Sequence, residues 1–217
     1  KGIRQLKLQH VGDDLEIISF MLNKVITNKS IDEPLNSTSQ ELVYVTNGWD
    51  VSENGHYATN TSTTNRELIY LSNHHVTDLT IEVDIKIDEP KSSLTSSLGA
   101  GIVVHAQNFA NNFRSESAHD DNDSIEGYYI KIQRNRITLR KQCYKGYSKD
   151  LTSTRITLEY NVSYTYKVEV KNNTITVYRN DEEVFSYTDD IAYVSGKTGF
   201  YTTGFNATYS NVKYIID

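Results

Sequence analysis

Short stretches in which every second residue is apolar constrain the fold of this chain most. Two of them span residues 79–88 and 164–171, where polar or charged residues fill the positions between. Successive side chains of a strand point to opposite faces, so this period predicts strands with one buried face. In the first stretch the residues that we predict to be buried are Ile81, Val83, Ile85 and Ile87.

Turn-forming residues separate the later stretches. Asn172-Asn173 and Asn180-Asp181 stand between apolar runs, as does Arg134-Asn135-Arg136. Asn and Asp accept the positive φ of tight hairpin turns, so these positions predict hairpins. No stretch of residues 30–217 has the pattern of a long helix. The predicted fold class is therefore all-β, a two-sheet antiparallel β-sandwich.

The chain divides into two unequal parts. We predict that residues 1–29 form a β-hairpin that is either an annex of the sandwich or the tail of a preceding domain, and that residues 30–217 form the sandwich. Residues 30–40 have the composition of a linker. Two polar loops are predicted inside the sandwich, at 47–65 and 106–125. Long loops in a compact domain are often functional.

Composition excludes several classes of function. The net charge is −6 and Lys and Arg form no block, so neither a nucleic-acid nor a membrane partner is expected. The longest apolar runs are too short to cross a bilayer. The one cysteine, Cys143, cannot form an internal disulfide.

The order of motifs along the chain resembles a known fold family. A Trp-containing loop precedes a Glu-x-Asp strand, and five further motifs follow. They are Gly99-Ala100-Gly101-Ile102-Val103-Val104, Gly127-Tyr128-Tyr129-Ile130-Lys131-Ile132, Tyr166-Lys167-Val168-Glu169-Val170, Gly196-Lys197-Thr198-Gly199-Phe200 and Ala207-Thr208-Tyr209-Ser210-Asn211-Val212. This series is similar to concanavalin A-like, laminin-G-like sandwiches. It is most similar to family 66 carbohydrate-binding modules, over about residues 41–217.

The resemblance implies a sugar site. Family 66 modules hold a terminal sugar with two acids of the Glu-x-Asp strand, which match Glu82 and Asp84. His105 stands where the family has an arginine, and Arg114 in the long loop is a candidate to replace that arginine. Trp49 either stacks on a sugar ring or anchors its loop to the core. The alternative for the two acids is a solvated, charged outer face.

The same resemblance bears on catalysis. Laminarinase-like enzymes of this fold place acids in a Glu-x-Asp-x-Glu run, and here the third acid is replaced by Lys86. We therefore expect a non-catalytic carbohydrate-binding module. Its expected setting is secreted or cell-surface, appended to a glycoside hydrolase, and its expected partner is a plant or microbial glycan. The alternatives are a catalytic glycoside hydrolase domain of this fold and a protein-binding adhesin module.

One acidic run suggests a metal ion. Asp120, Asp121 and Asp123 lie close together in the long loop, and calcium prefers several carboxylate and carbonyl oxygens. No cofactor is required by the predicted function, and a structural calcium is the one cofactor that we consider. The alternative is a solvated loop tip.

Overall fold

Fifteen strands and their turns make up the part of the chain that the computed structural model describes. That part is residues 29–33, 42–44, 49–51, 57–60, 67–72, 74–89, 99–107, 126–142 and 148–216. Within it no helix has the length and apolar character needed to cross a membrane. The strands are β1 Lys29–Glu33, β2 Leu42–Tyr44, β3 Trp49–Val51, β4 Tyr57–Asn60, β5 Glu67–Ser72, β6 Leu79–Ile87, β7 Gly99–Gln107, β8 Glu126–Gln133, β9 Arg136–Gln142, β10 Ser148–Arg155, β11 Ser163–Lys171, β12 Thr174–Arg179, β13 Glu182–Thr188, β14 Lys197–Thr203 and β15 Ala207–Ile216.

The first sheet is built around β6. Its order is β13-β12-β11-β6-β15-β4-β3, with β1 paired to β15, and its pairings are antiparallel. Side chains of β6 alternate between buried and partly exposed along the whole strand. The four apolar residues predicted to be buried are 0–2% exposed. The alternation was therefore a correct guide to the face that packs in the core.

The second sheet has a different pattern of burial. Its order is β10-β9-β8-β7-β14-β5-β2, again antiparallel. Every residue of β8 is buried, as are all residues of β7 except the last. A strand that is covered on both faces shows continuous burial rather than alternation. The central strands of this sheet are therefore buried both inside and outside the sandwich.

Apolar side chains of the two sheets meet in one core, which confirms the predicted two-sheet antiparallel sandwich. Tyr209 of β15 joins the sheets, because its ring stacks on Phe200 of β14 with centroids 4.7 Å apart. Its hydroxyl donates to the Tyr201 carbonyl oxygen at 2.6 Å and accepts from the Gly101 N–H at 3.3 Å. Burial raises the pKa of the Tyr209 hydroxyl far above its ordinary value.

The predicted hairpins are present. Asn172 links β11 to β12 with a φ of 54°, and Asn180 and Asp181 link β12 to β13 with φ of 50° and 65°. A turn at residues 134–135 joins β8 to β9. Asn and Asp tolerate the left-handed region better than other residues with a Cβ, which explains their use here.

Two loop predictions were wrong in part. The stretch at 47–65 contains β3 and β4, and the predicted linker contains most of β1. These strands are short and polar, so they lack the alternation that reveals longer ones. Backbone pairing to the edge of a sheet, as between β1 and β15, does not depend on that pattern. The predicted hairpin of residues 1–29 lies outside the described residues except for Lys29.

The segment 189–196 crosses from the first sheet to the second and is held by a polar network. Tyr128 Oη and Lys141 Nζ each lie 2.7 Å from Oδ2 of Asp189. The Ile191 N–H donates to Oδ1 at 3.1 Å. Burial opposes ionisation, but these hydrogen bonds outweigh it and lower the pKa of Asp189 below its ordinary value. This end of the sandwich is therefore fixed by an ionised carboxylate.

Candidate functional site

Glu82 and Asp84 share the outer face of β6, as their spacing predicts. Thr165 Oγ1 donates to Asp84 Oδ1 at 2.6 Å, and Asn211 Nδ2 donates to Oδ2 at 2.7 Å. Lys213 Nζ lies 3.4 Å from Glu82 Oε1. Side chains of the neighbouring strands thus already bond both oxygens of Asp84 and pair with Glu82. The structure brings the two acids together within a network of the first sheet.

His105 lies on the second sheet and is 1% exposed. It has a φ of 51°, at a bulge in the pairing of β7 with β8. Its Nδ1 and Nε2 are 2.5 Å and 2.6 Å from the carbonyl oxygens of Tyr193 and Thr77. Burial lowers the pKa of the imidazole, although the two carbonyls act in the opposite direction. His105 therefore ties β7 to two connecting segments.

The other predicted ligand-binding residues lie elsewhere. Trp49 is 6% exposed and packs in the core against Tyr209, with ring centroids 5.5 Å apart. The structure thus assigns Trp49 to packing, which is the second of the two predicted alternatives. Arg114, Asp120, Asp121 and Asp123 lie outside the described residues. In the described ranges no group of three His, Cys, Asp or Glu side chains is placed to hold a metal ion.

The described members of the predicted sugar site are therefore not neighbours. Glu82 and Asp84 face outward from the first sheet, His105 is buried in the second, and Trp49 is in the core between them. A sugar contact by the acid pair stays a prediction. The structure does not place His105 and Trp49 beside the acid pair, where they could contact the same sugar.

A second polar surface lies on the opposite side of the sandwich. The side of the second sheet that points away from the core is named the polar face. The core residues of β8 and β9 show which residues belong to this face, because the residues that alternate with them along each strand point outward. Its polar and aromatic members are Tyr129, Lys131, Gln133, Arg136, Thr138, Arg140, Gln142, Ser148, Asp150, Ser153, Arg155, Tyr201 and Thr203.

The middle of the polar face combines a glycine with two tyrosines. Gly101 pairs with Tyr201 of β14 on one side and with Lys131 of β8 on the other. The Tyr129 and Tyr201 rings meet edge to face with centroids 5.0 Å apart. A Cβ at Gly101 would lie 1.9 Å from the Ile130 carbonyl oxygen, so only glycine fits. The floor of this surface is thus bare backbone beside an aromatic pair.

Polar side chains are buried around that floor. Lys131 and Gln133 are each 8% exposed, Thr138 is 2% exposed and Gln142 is 9% exposed. Burying polar groups costs free energy unless they are hydrogen-bonded, and sheets buried for packing alone carry apolar residues instead. These four residues give the floor a polar character that the core side of the same strands lacks.

The outer strands of the polar face are accessible. Arg136, Ser153 and Arg155 are exposed, and Arg140 pairs with Asp150 through Nε and Oδ1 at 2.6 Å. The hydrogen bond from Arg140 is the main cause of a lowered pKa at Asp150. The polar face thus has a buried floor on β8 and β14 that extends to Thr138 and Gln142 of β9, and an accessible, charged margin formed by Arg136, Arg140 and the outward residues of β10.

Comparison with known families identifies the chain. The model of the 3-keto-alpha-glucoside-1,2-lyase-like domain matches residues 33–214, which include all but the two ends of the described sandwich. The chain belongs to this family. No curated protein matches its sequence.

Solved structures support the fold of this family member. A carbohydrate-binding module CBM66 from Bacillus subtilis is 20% identical, with a TM-score of 0.59 over 80% of this chain and 94% of the module. The exoplasmic/lumenal domain of VIP36, in a Ca²⁺/Man-bound form, is 13% identical, with a TM-score of 0.60 over 87% and 89% of the two chains. A Bacillus licheniformis β-glucanase is 13% identical, with a TM-score of 0.54 over 87% and 98%. At these identities the likeness shows a shared lectin-like β-sandwich.

The sequence contained a signal for the polar face that the prediction did not use. Arg136, Thr138 and Arg140 alternate with Ile137 and Leu139, which is the period that predicts a half-buried strand. Only the register of β8, β9 and β10 shows that the polar positions of three strands form one surface.

Proposed function

We propose that the chain is a non-catalytic carbohydrate-binding domain whose ligand lies on the polar face. Its fold is that of a CBM66 module and of a mannose-bound lumenal domain, and its family is named for an α-glucoside. These likenesses support a glycan partner. They do not identify the surface, which we choose from the geometry.

The observation that carries the proposal is the combination of buried polar residues, a glycine floor and an aromatic pair on one face. Sugar ligands present hydroxyl groups together with apolar C–H surfaces, and ligand sites pair aromatic surface with a few fixed polar groups. Tyr129 and Tyr201 are 3% and 1% exposed and form the packed floor, so the groups open to a ligand are the polar side chains of the margin, such as Arg136, Arg140 and Arg155. The acid pair of the first sheet is already bonded by its own neighbours.

Binding without hydrolysis agrees with the state of Asp150. A retaining glycosidase uses two carboxyl groups about 5–5.5 Å apart, and its acid needs a raised pKa. The pKa of Asp150 is lowered instead, because Arg140 holds the ionised form. A carboxylate in this state is suited to orient Arg140 or to accept a sugar hydroxyl.

Catalysis is the second candidate, and the family match favours it. A lyase acting on a 3-keto-α-glucoside removes the proton at C2, made acidic by the ketone, and expels the substituent at C1. Incubating the chain with a 3-keto-α-glucoside and measuring the unsaturated ketone by its absorbance tests this candidate. Turnover by the wild-type chain would show that the domain is catalytic and would contradict the proposed non-catalytic role.

Setting and cofactor follow as proposals from the same likenesses. An exoplasmic/lumenal lectin domain and a glycanase share the fold, which supports a secreted or cell-surface setting and an accessory role beside a glycoside hydrolase. The VIP36 structure contains calcium, which supports a structural calcium in this fold, and Asp120, Asp121 and Asp123 stay the ligands that we propose for it from the sequence.

A glycan array followed by calorimetry tests the proposed surface. For a glycan found on the array, we expect Arg140→Gln to weaken binding about ten-fold or more, because a hydrogen bond from a charged group contributes about 1.5–3 kcal/mol. Glu82→Gln makes a change of one charge on the first sheet and should leave affinity within about two-fold. If Glu82→Gln abolishes binding and Arg140→Gln does not, the acid pair is the sugar site.

A further inference from the structure

Positive charge is concentrated in the strands that form the polar face. Residues 126–155 contain eight of the 22 Lys and Arg residues of the chain, but two of its 28 Asp and Glu residues. The chain as a whole has a net charge of −6. Its overall acidity therefore hides one strongly basic region.

Strand register places like charges opposite each other in this region. Arg136 of β9 and Arg155 of β10 are direct cross-strand partners, and both are exposed on the polar face. Like charges directly opposite each other destabilise an antiparallel pair. The next outward-facing pair along these strands, Thr138 with Ser153, is uncharged, and Arg140 with Asp150 follows. In the described part of the polar face, Asp150 is bonded by Arg140 and lies near Arg136 and Lys131, whereas Arg155 has Arg136 opposite it.

An anion bound between the opposed arginines would offset their repulsion. Each guanidinium offers several N–H donors in a planar fork that matches a carboxylate or another oxyanion. Two such forks side by side on a rigid sheet can hold one acidic group between them. A neutral sugar supplies no charge to offset this repulsion.

We infer that the ligand of the polar face is an anionic glycan, with carboxylate or sulfate groups bound by Arg136 and Arg155. This inference rests on the proposed function and narrows it to a class of ligand. Arg136 and Arg155 are both exposed, so an acidic group can reach the two guanidinium groups from solvent.

The test compares polymers that differ in charge. Polygalacturonate is paired with methyl-esterified pectin, and dextran sulfate with dextran, in affinity electrophoresis and calorimetry of the full chain. We expect one acidic polymer to bind at least about ten-fold tighter than its neutral partner at low salt. The preference for the acidic polymer should shrink as the salt concentration rises toward about 1 M, because the Debye length there is about 3 Å. The tighter of the two acidic polymers identifies carboxylate or sulfate as the bound group.

Two matched double variants locate the site. Arg136→Gln with Arg155→Gln should reduce the affinity for the acidic polymer about ten-fold or more. Lys171→Gln with Lys213→Gln removes the same charge from exposed positions of the first sheet and should change it less than about three-fold. The Arg136→Gln, Arg155→Gln variant removes a repulsion, so its melting temperature should equal or exceed that of the wild type. A melting temperature of that size excludes misfolding as the cause of the lost affinity.

Several outcomes would overturn the inference. Equal affinity for the neutral and acidic partners would refute it while leaving glycan binding intact. If the chain binds a neutral glycan but neither acidic polymer, the inference is likewise refuted and glycan binding is retained. Binding of single-stranded DNA as tightly as of the acidic glycan would show a general polyanion surface instead. Absence of binding to every glycan, acidic or neutral, would refute the proposed function itself.

Discussion

The two outward faces of this sandwich carry charge in opposite ways. On the first sheet cations and anions neutralise one another, as in the pairs Lys213–Glu82 at 3.4 Å and Lys167–Glu169 at 2.9 Å. On the second sheet the described residues of the polar face include several cations and one carboxylate, Asp150. The first face is also open, whereas the floor of the second is buried.

This difference separates a solvated surface from a candidate binding surface. Charges that are satisfied within their own sheet need no ligand, and exposed ion pairs contribute little to stability. Cations placed directly opposite each other, as Arg136 and Arg155 are, lower stability unless something else compensates them. The surface that is less favourable for folding is thus the better candidate for function.

The central strand of each sheet offers the sharpest test of how differently the two faces are built. A Cβ at Gly101 of β7 would lie 1.9 Å from a backbone oxygen, whereas Lys86 of β6 points outward and its side chain is 42% exposed. We expect Gly101→Ala to reduce the free energy of unfolding by about 3 kcal/mol or more. Lys86→Ala should change it by less than about 0.5 kcal/mol. Equal effects in urea denaturation would contradict the close packing of the second sheet.

The crossing between the two sheets gives a smaller, pH-dependent effect. Asp189→Asn should lower the free energy of unfolding by about 1–3 kcal/mol at pH 7, since it weakens bonds from Tyr128 and Lys141. The folded-state pKa of Asp189 is depressed, so its contribution is present above the ordinary carboxyl pKa of about 3.9. That contribution is lost as pH falls through the folded-state pKa.

Thermal melting of both proteins over a pH series measures that effect. The difference in melting temperature between wild type and Asp189→Asn should be largest at neutral pH and should vanish in acid. Asp190→Asn, at an exposed neighbouring position, is the control and should not alter stability at either pH. A difference that persists unchanged in acid would show that the charge of Asp189 does not stabilise the crossing.

The first sheet was predictable from sequence because water covers one of its faces. Ile81 and Val83 alternate with acids, and that contrast between apolar and charged residues is enough to assign each one to the core or to the solvent. The hairpins at Asn172 and Asn180 were predictable for a local reason too, the tolerance of Asn for positive φ.

The polar face could not be predicted in the same way. Continuous burial of β8 removes the contrast between its two sides, and residues such as Arg136 and Arg155 become neighbours only through strand register. Trp49 shows the converse limit. Its polar sequence context predicted a loop and left open whether the ring contacts a sugar or the core, and pairing of β3 with β4 places it in the core.

Mapping of a bound glycan onto backbone amides by NMR tests the central claim most directly. The full chain, labelled with ¹⁵N, is titrated with the glycan that binds tightest in the array or polymer assays. The account predicts that the largest shifts fall on β8, β9, β10 and β14, with Lys131, Arg140 and Tyr201 among them. Shifts concentrated instead on β6, β11 and β15, around Glu82 and Asp84, would contradict it and assign the site to the first sheet.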